Sequence, residues 1–394
     1  MANKDKEPLE FTTTDAESED PKSKQARRDQ RADYDAMRQR CPVAHSESTG
    51  WTLFRHEDVM RVLLDDKTFS NAVSRHLSAP NGMDPPEHTE YRRIIEAYFS
   101  AARMEAFEPV CREIARKLVR ELSGRGEVEF MSHVASPFAA GVQCAFLGWP
   151  DSLHKTLVGW MHRNHEATLA QNRKEMAEIA CEFEQIIDDL LQTRRQAGAE
   201  PDTDITAALM HEKVWGRPLS NEELASILRN WTAGEIGTIS AAAGILAHYL
   251  AVHVDLAKRL RAETHVLPVA IDEILRIHGP LVSNRRVTTR PVEIGGKKID
   301  AGERITLNWI SANRDERVFE EADKFRLDRD TTKNLLYGVG IHVCPGAPLA
   351  SLELRVFMEE LLNCTTKMTT VSDKPPTFAV SPASGFSILP LMIQ

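Results

Sequence analysis

The stretch LLYGVGIHVCPGAPLASL, residues 335–352, places a cysteine among glycines where a loop leads into a helix. Cys344 stands four residues after Gly340 and two before Gly346, and these glycines together with Gly338 allow positive φ angles. That freedom lets the backbone pass close beneath a flat macrocycle, and N–H groups at a helix start favour a thiolate. The stretch therefore predicts that Cys344 is a thiolate ligand to an iron held in a macrocycle.

A lone cysteine is more often a small buried residue, but a pattern of this length is specific. It resembles the haem-binding loop of the cytochrome P450 family, an aromatic residue followed by G-x-G-x-[HR]-x-C-x-G. Tyr337 stands where the family usually has Phe, and Gly338 and Gly346 are the first and last glycines. His342 is in reach of a haem propionate. By this resemblance these residues bind haem b, and Cys344 binds its iron.

The resemblance covers about residues 41–394 and implies the P450 fold, which is mainly α with a small β part. Haem then lies between a long central helix and the helix that follows Cys344. Apolar periodicity agrees with this class. It predicts helical segments at roughly 103–122, 150–195 and 220–262. It also predicts a hairpin at 292–309 and a final strand at 386–393.

Length and composition favour one folded domain after a charged segment. The 394 residues are 42% hydrophobic and 27% charged, which supports a buried core. Residues 1–30 are charged and poor in aromatic side chains, so we expect a mobile segment there and a single haem domain over residues 31–394. We expect a monomer, because no heptad run or exposed apolar repeat indicates a partner.

Charge, apolar runs and cysteines indicate a cytoplasmic protein that binds neither nucleic acid nor a membrane. The net charge is -9, and no basic run is interleaved with aromatic residues. The uncharged stretches 130–150 and 236–254 contain Pro, Gly or His, and the N-terminus has no signal-peptide pattern. The six cysteines are scattered without a CxxC pair, as expected of reduced thiols.

Glu273 and Arg276 lie three residues apart on a predicted helix, a spacing that also fits an ordinary surface ion pair. Their position ahead of Cys344 resembles the E-x-x-R motif of the family. Arg326, in the sequence ADKFRLDR, matches the arginine that completes the triad. The resemblance implies that Glu273, Arg276 and Arg326 are structural and hold the loop beneath the haem.

Haem propionates require nearby cations, and Arg or His suits their carboxylate geometry. The sequence DPPEHTEYRR resembles the H-x-x-x-R helix of the family, which assigns His88 and Arg92 and puts both on one helical face. Arg286 resembles the arginine that meets the other propionate, with Arg285 as the alternative register. The alternative for each residue is a solvated cation.

The segment RNWTAGEIGTISAAAGILAHYLA, residues 229–251, predicts the long helix over the haem. Gly234 and Gly237 leave room above a macrocycle, and Thr238 offers a hydroxyl to bound dioxygen and a water chain. The family usually has Asp or Glu directly before this Thr, whereas this chain has Gly237 there and Glu235 three residues ahead of Thr238. Thr238 and Glu235 are the candidate catalytic residues; the alternative is a Gly/Ala-rich packing helix.

The resemblance implies a haem-thiolate monooxygenase. It would insert one oxygen atom from O2 into small aromatic or aliphatic substrates by hydroxylation or O-dealkylation. Substrate contacts are expected from segments that face the distal side of the haem. The candidates are Val73, Trp231, Ala233, Gly234, Leu281, Val282 and Phe386.

Several segments, notably CPVAHSESTGW and NWTAGEIGT, resemble the haem domains of bacterial self-sufficient P450s, which are fused to an FMN/2Fe-2S reductase. Electrons would then come from NAD(P)H through a reductase or ferredoxin, either in a longer protein or as separate partners. The alternative is a hydrogen-peroxide-driven peroxygenase in which Glu235 moves a proton between the peroxide oxygens. A non-catalytic haem sensor is the third interpretation.

Overall fold

Helices make up most of the structure. The computed structural model describes residues 28–394 apart from residues 48, 123, 171 and 382. In chain order, the α-helices of the described residues are α1 (Arg31–Arg40), α2 (His56–Leu64), α3 (Glu87–Glu96), α4 (Ala101–Arg120), α5 (Ser136–Leu147), α6 (His154–Leu169), α7 (Arg173–Ala197), α8 (Ile205–His211), α9 (Asn221–Val252), α10 (Val254–Ala262), α11 (Leu267–His278), α12 (Trp309–Asn313) and α13 (Ala347–Cys364).

The strands are short. In chain order, those of the described residues are β1 (Val43–Ser46), β2 (Gly50–Leu53), β3 (Phe69–Ser70), β4 (Gly126–Glu129), β5 (Lys213–Val214), β6 (Arg217–Pro218), β7 (Ser283–Thr288), β8 (Val292–Ile294), β9 (Lys297–Ile299), β10 (Arg304–Asn308), β11 (Met368–Thr370), β12 (Thr377–Phe378), β13 (Phe386–Ile388) and β14 (Pro390–Ile393). The main sheet has the order β1-β2-β10-β7-β3, with β10 parallel to β2 and antiparallel to β7. A second sheet has the order β11-β14-β4. Strands β8 and β9 form a hairpin over the first part of the range predicted at 292–309, and β10, in the second part, belongs to the main sheet. The predicted class, mainly α with a small β part, is confirmed.

Two of the predicted long helical segments are each a pair of helices. The segment predicted at 150–195 divides because Asn172 caps α7, its side chain accepting the Glu175 N–H at 3.2 Å. The segment predicted at 220–262 divides at His253, whose φ of -108° and ψ of 68° are not helical. Apolar periodicity continues across both breaks, so it conceals them.

The longest helix, α9, packs against α5, α7, α11 and α13. A capping box sets its start: Ser220 accepts the Glu223 N–H at 3.2 Å, and the Glu223 carboxylate accepts the Ser220 N–H at 2.7 Å. Its 32 residues extend about 48 Å. By length and composition α9 would suffice to cross a membrane, but 67% of its apolar 18-residue stretch is buried inside the protein, as in a core helix.

The frame of the site consists of α4, α9 and α13. Helix α13 packs along α4 and also contacts α9 and α11. Its buried apolar side chains recur at helical spacing and include Leu349, Leu352, Val356, Phe357 and Leu361. This packing brings the start of α13, directly after Cys344, to the same cavity as the segment 234–238 of α9.

The predicted mobile segment, residues 1–30, lies outside the described residues as far as residue 27. Helix α1 begins at Arg31, and ion pairs join it to the remainder of the structure. The Arg38 guanidinium donates to the Glu316 carboxylate at 2.8 Å, and the Arg314 guanidinium donates to Asp35 at 2.5 Å. The single haem domain over residues 31–394 stays a prediction.

Candidate active site

The loop before α13 holds Cys344 at the wall of a cavity. Gly338 and Gly340 have positive φ angles of 71° and 75°, which glycine adopts at little cost. A Cβ atom on Gly340 would lie 2.7 Å from the Leu63 carbonyl oxygen, so a larger residue does not fit there. Gly346 differs from the expectation, because it has a negative φ of -81° as the N-cap of α13.

Backbone donors surround the Cys344 thiol. Its own N–H donates to the Tyr337 carbonyl oxygen at 2.8 Å, the Ala347 N–H donates to the Cys344 carbonyl oxygen at 3.4 Å, and the Gly346 and Ala347 N–H groups favour its thiolate form. Burial raises the pKa of the thiol, and these hydrogen bonds lower it by less. The helix start alone therefore does not produce the predicted thiolate. A coordinated metal ion deprotonates a thiol outright, so ligation would complete this arrangement.

A cavity of about 460 Å³ extends from the Cys344 loop to α9. The predicted site residues that line it are Val73, Arg92, Trp231, Gly234, Glu235, Thr238, Leu281, Arg286, Tyr337, Gly338, His342, Cys344 and Gly346. Six amide side chains also line it: Asn71, Asn81, Gln143, Asn230, Asn284 and Asn313. Isolated polar residues carry no periodic signal, so the folded structure identifies them.

Three predicted substrate contacts lie outside the lining of this cavity. Ala233 packs against the apolar core, because it is rotated by about 100° from Gly234 around the helix axis. Val282 and Phe386 line a second, smaller cavity near the start of α1. The Phe386 ring packs against His248, with ring centroids 4.6 Å apart. The structure does not bring Ala233, Val282 or Phe386 to this cavity.

Two arginines and two histidines lie together at the edge of the cavity. Arg92 and Arg286 are buried and line it, whereas His88 lies behind His342, with ring centroids 4.2 Å apart. Nε2 of each histidine is buried without a hydrogen-bond partner among the described residues. Burial, followed by the charges of the other three residues, lowers the pKa of His342 to about 3. Buried cations and orphaned ring nitrogens together fit the carboxylates of a haem.

Burial distinguishes Arg286 from Arg285, the two candidates for contact with the second propionate. Burial lowers the pKa of Arg286 to about 10, and Arg286 is also one of the charges that act on His342. Arg285 lines the cavity as well, but it is exposed, whereas Arg286 is buried. Its backbone carbonyl accepts a hydrogen bond from the Arg286 guanidinium at 2.7 Å. Arg286 is therefore the better candidate for a propionate.

The triad beneath the loop contains Arg329, not the predicted Arg326. The Arg276 guanidinium donates to both Glu273 oxygens at 2.8 and 2.9 Å, and Arg329 Nε donates to Glu273 at 2.7 Å. The Arg326 side chain instead pairs with Asp328 at the surface, and only its backbone N–H reaches Glu273, at 3.3 Å. Both arginines follow the same turn, and sequence alone does not show which one points inward.

The triad is connected to the Cys344 loop through Asn313. The Arg276 guanidinium donates to the Asn313 carbonyl oxygen at 2.6 Å. The Asn313 side chain then accepts the Leu335 N–H at 2.8 Å, at the start of the glycine-rich stretch. This chain of hydrogen bonds supports the predicted structural role of Glu273 and Arg276.

On α9, Gly234 and Thr238 face the cavity, but Gly237 does not. A Cβ atom on Gly234 would meet nothing within 4 Å, whereas one on Gly237 would lie 3.1 Å from Met161 Cε on α6. The prediction that Gly237 leaves room above a macrocycle is therefore wrong. The Thr238 hydroxyl donates to the Gly234 carbonyl oxygen at 2.7 Å. This bond directs the hydroxyl back toward the preceding turn of α9, on the side of the helix that lines the cavity.

Glu235 lines the cavity beside Thr238, and its carboxyl group interacts with that of the fully buried Glu353 of α13. Burial raises the pKa of the Glu235 carboxyl group, and the contact with Glu353 lowers it by less. Glu353 was not predicted as a site residue. A signal for it was present, because it is an acid between Leu352 and Leu354 on the apolar part of α13.

A family model described as Cytochrome P450 matches residues 153–393. The cyclomarin C epoxidase of Salinispora arenicola is 31% identical over 345 residues, which are 83% of this chain and 86% of the relative. The ligand-free structure of cytochrome P450 TbtJ1 is 30% identical, with a TM-score of 0.82, and the match covers 92% of this chain and 97% of that chain. The testosterone complex of CYP109E1 from Bacillus megaterium is 26% identical, with a TM-score of 0.82. This match covers 93% of this chain and 99% of that chain.

Proposed function

This chain belongs to the cytochrome P450 family, an assignment that makes it an oxygen-incorporating oxidoreductase, and we propose that it is a monooxygenase of small aromatic or aliphatic compounds. The reaction is insertion of one oxygen atom from O2, as hydroxylation or O-dealkylation. The observation that carries the proposal is a single cavity lined by the Cys344 thiol and by Gly234 and Thr238 of α9.

The residues of the cavity fit haem b, which the family implies. Cys344 would hold the iron, and Arg92, Arg286 and His342, with His88 behind it, would hold the propionates. The orphaned Nε2 atoms of the two histidines support this assignment. Haem, when bound, supplies the activation of dioxygen. The chain itself contributes a thiol directly before the start of α13, an open helix segment at Gly234, and hydroxyl and carboxyl groups beside it.

The size and lining of the cavity support a small substrate. Its volume of about 460 Å³ has to contain both the haem and the substrate. The lining is mostly apolar, with Trp231 and Leu281 among its members, and amides such as Asn71 and Asn230 add a few hydrogen-bonding groups. Such a site suits a compact apolar molecule with one polar substituent.

We further propose that electrons reach this site from NAD(P)H through a separate or fused reductase, with either an FMN/2Fe-2S reductase or a ferredoxin as the partner. The relatives reported above are bacterial P450 proteins whose names include no reductase, so the self-sufficient arrangement has no support from them. A monomer in the bacterial cytoplasm is consistent with the net charge of -9 and with the buried position of α9.

The proposal is tested by O-dealkylation of a small aromatic ether by the purified, haem-loaded protein. We expect product when NADH, a surrogate ferredoxin and its reductase are supplied. The Cys344→Ser variant is the control and should lose both product and the reduced-CO spectrum of a thiolate-ligated haem. Absence of product from the unmodified protein with every electron donor would contradict the proposed reaction.

A second candidate function is peroxide-driven oxygen insertion at the same haem. Glu235 favours it, because a buried carboxyl group with a raised pKa at the cavity wall is suited to moving a proton between peroxide oxygens. Hydrogen peroxide without reductase then yields product, and Glu235→Ala abolishes it. Product that depends on the reductase and is unaffected by peroxide excludes this candidate. The same groups at the cavity wall, Thr238 and Glu235, disfavour a non-catalytic sensor.

A further inference from the structure

Asn71 contributes an unpaired hydrogen-bond acceptor to the wall of the cavity. Its side chain lines the cavity together with Cys344 and Thr238 and is 7% exposed. Its Oδ1 atom is buried and accepts no hydrogen bond from any described residue. A buried acceptor without a partner is destabilising, and native structures leave few of them. We therefore expect the occupant of the cavity to supply the missing donor.

The other end of the Asn71 side chain fixes the orientation of its amide group. Nδ2 donates to the Asn81 carbonyl oxygen at 2.9 Å. Because a carbonyl oxygen only accepts, the NH2 end of the amide has to lie there, and a flip of the amide is excluded. Oδ1 is therefore the end that remains without a partner.

Hydrogen bonds from two sides hold the segment that carries Asn71. The Asn71 N–H donates to the Asp84 carboxylate at 2.9 Å. Farther along, α9 holds the same segment: the Ser226 hydroxyl accepts the Ala79 N–H at 2.8 Å, and the Asn230 side chain donates to the Ala79 carbonyl oxygen at 3.0 Å. Such supports define the position of the acceptor before a ligand binds.

Among the described residues that line the cavity, three others have a buried polar atom without a partner: Trp231, Glu235 and His342. Trp231 Nε1 is a donor, and Glu235 and His342 change between donor and acceptor with their protonation state. Oδ1 of Asn71 differs from these atoms, because it only accepts. The haem edge does not satisfy it, since propionate carboxylates only accept and the other haem substituents are apolar. The remaining source of a donor within the cavity is the substrate or a water molecule.

We propose that Asn71 selects substrates that carry a hydroxyl group, whose O–H donates to Oδ1. The substrate class is then a small aromatic ether with a phenolic hydroxyl, a compact apolar body with one polar substituent. An analogue with a methyl group in place of the hydroxyl leaves the buried acceptor unpaired. This inference rests on the proposed monooxygenase function and makes its substrate class narrower.

Isothermal titration calorimetry of the haem-loaded protein with matched pairs of compounds tests this selection. The probes are the three positional isomers of methoxyphenol and the corresponding methoxytoluenes, which replace the hydroxyl by a methyl group of similar size. For at least one isomer we expect the methoxyphenol to bind about tenfold more tightly than its methoxytoluene. Equal affinities in all three pairs would mean that water satisfies Oδ1, and they would overturn the proposal. This comparison needs no variant.

Two variants distinguish the acceptor from the shape of the segment. Asn71→Leu and Asn71→Asp both remove the N–H group that donates to the Asn81 carbonyl oxygen, but Asn71→Asp keeps an acceptor. We expect the preference for the hydroxyl to be lost in Asn71→Leu and kept in Asn71→Asp. Loss in both variants would assign the preference to the shape of the segment and overturn the role of Oδ1.

Asn284→Leu is the matched control. Asn284 lines the same cavity, but its Oδ1 already accepts the Trp309 Nε1–H at 2.7 Å, so this variant should keep the preference. The reductase-driven reaction separates the two proposals. Product from both members of every pair at equal affinity would overturn the role of Asn71 alone, whereas no product from any of the six ethers would overturn the proposed function.

Discussion

At the scale of single residues, the Cys344 loop depends on glycine at position 340. Gly340→Ala should lower both thermal stability and haem content. A side chain at φ 75° costs about 1–2 kcal/mol. The new Cβ atom would also displace the Leu63 backbone, because it would lie 2.7 Å from that carbonyl oxygen. Melting temperature and the haem-to-protein absorbance ratio measure the two effects.

Gly296→Ala is the control for backbone strain alone. Gly296 has φ 74°, and a Cβ atom there would meet nothing within 4 Å. We expect a similar strain cost but no loss of haem. Equal losses of haem in the two variants would show that the contact between Gly340 and Leu63 has no role in shaping the loop.

The triad gives a second prediction at this scale. Arg329→Met should lower the free energy of unfolding by about 3–5 kcal/mol, because it removes a partner from the buried Glu273 carboxylate. Arg326→Met should change it by less than about 1 kcal/mol, because that side chain pairs with Asp328 at the surface. Denaturant titration of both variants measures the difference. A larger loss of unfolding free energy in Arg326→Met than in Arg329→Met would show that Arg326 completes the triad, as the sequence predicts.

At the scale of elements, a glycine inside α9 makes the helix less stable but leaves space in the cavity. Gly234 lies inside the helix, where glycine is less favourable than alanine by about 1 kcal/mol. Gly234→Ala should therefore raise the melting temperature of the haem-free protein and weaken binding of larger substrates, because its Cβ atom enters the cavity. Calorimetry and substrate-induced spectral titration measure the two changes.

Gly244→Ala is the comparison on the same helix. Its Cβ atom would lie 2.5 Å from the Met131 sulfur, so we expect overpacking to lower the melting temperature despite the gain in helix propensity. Substrate affinity should not change, since the Met131 contact lies in the core. Stabilisation by both substitutions would mean that propensity alone decides stability along α9.

At the scale of the whole molecule, two partly buried histidines set the acid limit of stability. Burial, with the Arg31 charge second, lowers the pKa of His248 to about 4 and that of His278 to about 2. His278 accepts a hydrogen bond from Arg31 at 2.5 Å, so its neutral form is the one that fits. These two histidines join α9 and α11 to the start of α1.

The sign of the pH dependence follows from proton uptake. The unfolded chain protonates these histidines below about pH 6.5, whereas the folded chain does not until much lower pH. Their contribution to stability is therefore complete above pH 6.5 and is lost as the pH falls below it. The free energy of unfolding of the haem-free protein, measured by denaturation at pH values from 7 to 4, should therefore fall with a definite slope as the pH falls. His278→Gln should flatten it, and a variant of the exposed His265 should not; an unchanged slope in His278→Gln would contradict the assignment.

The sequence by itself determined the family, the mainly helical class and the loop that carries Cys344. These features depend on contiguous patterns: glycines and a cysteine at set spacing, and apolar residues at helical period. Backbone conformation and local burial act within a few residues, so their signals survive in the sequence. Apolar periodicity did not predict that two long helical segments are each divided in two. The cap at Asn172 and the break at His253 interrupt the helical backbone, but the apolar period continues across them.

Only the tertiary structure decided which side chains meet. It selected Arg329 over Arg326 for Glu273, turned Gly237 away from the cavity, and placed Glu353 of α13 against Glu235 of α9. Each of these facts depends on the rotation of a helix or turn about its own axis, which packing against distant segments sets. A sequence pattern fixes the spacing along one element, but the contacts between elements are properties of the folded chain.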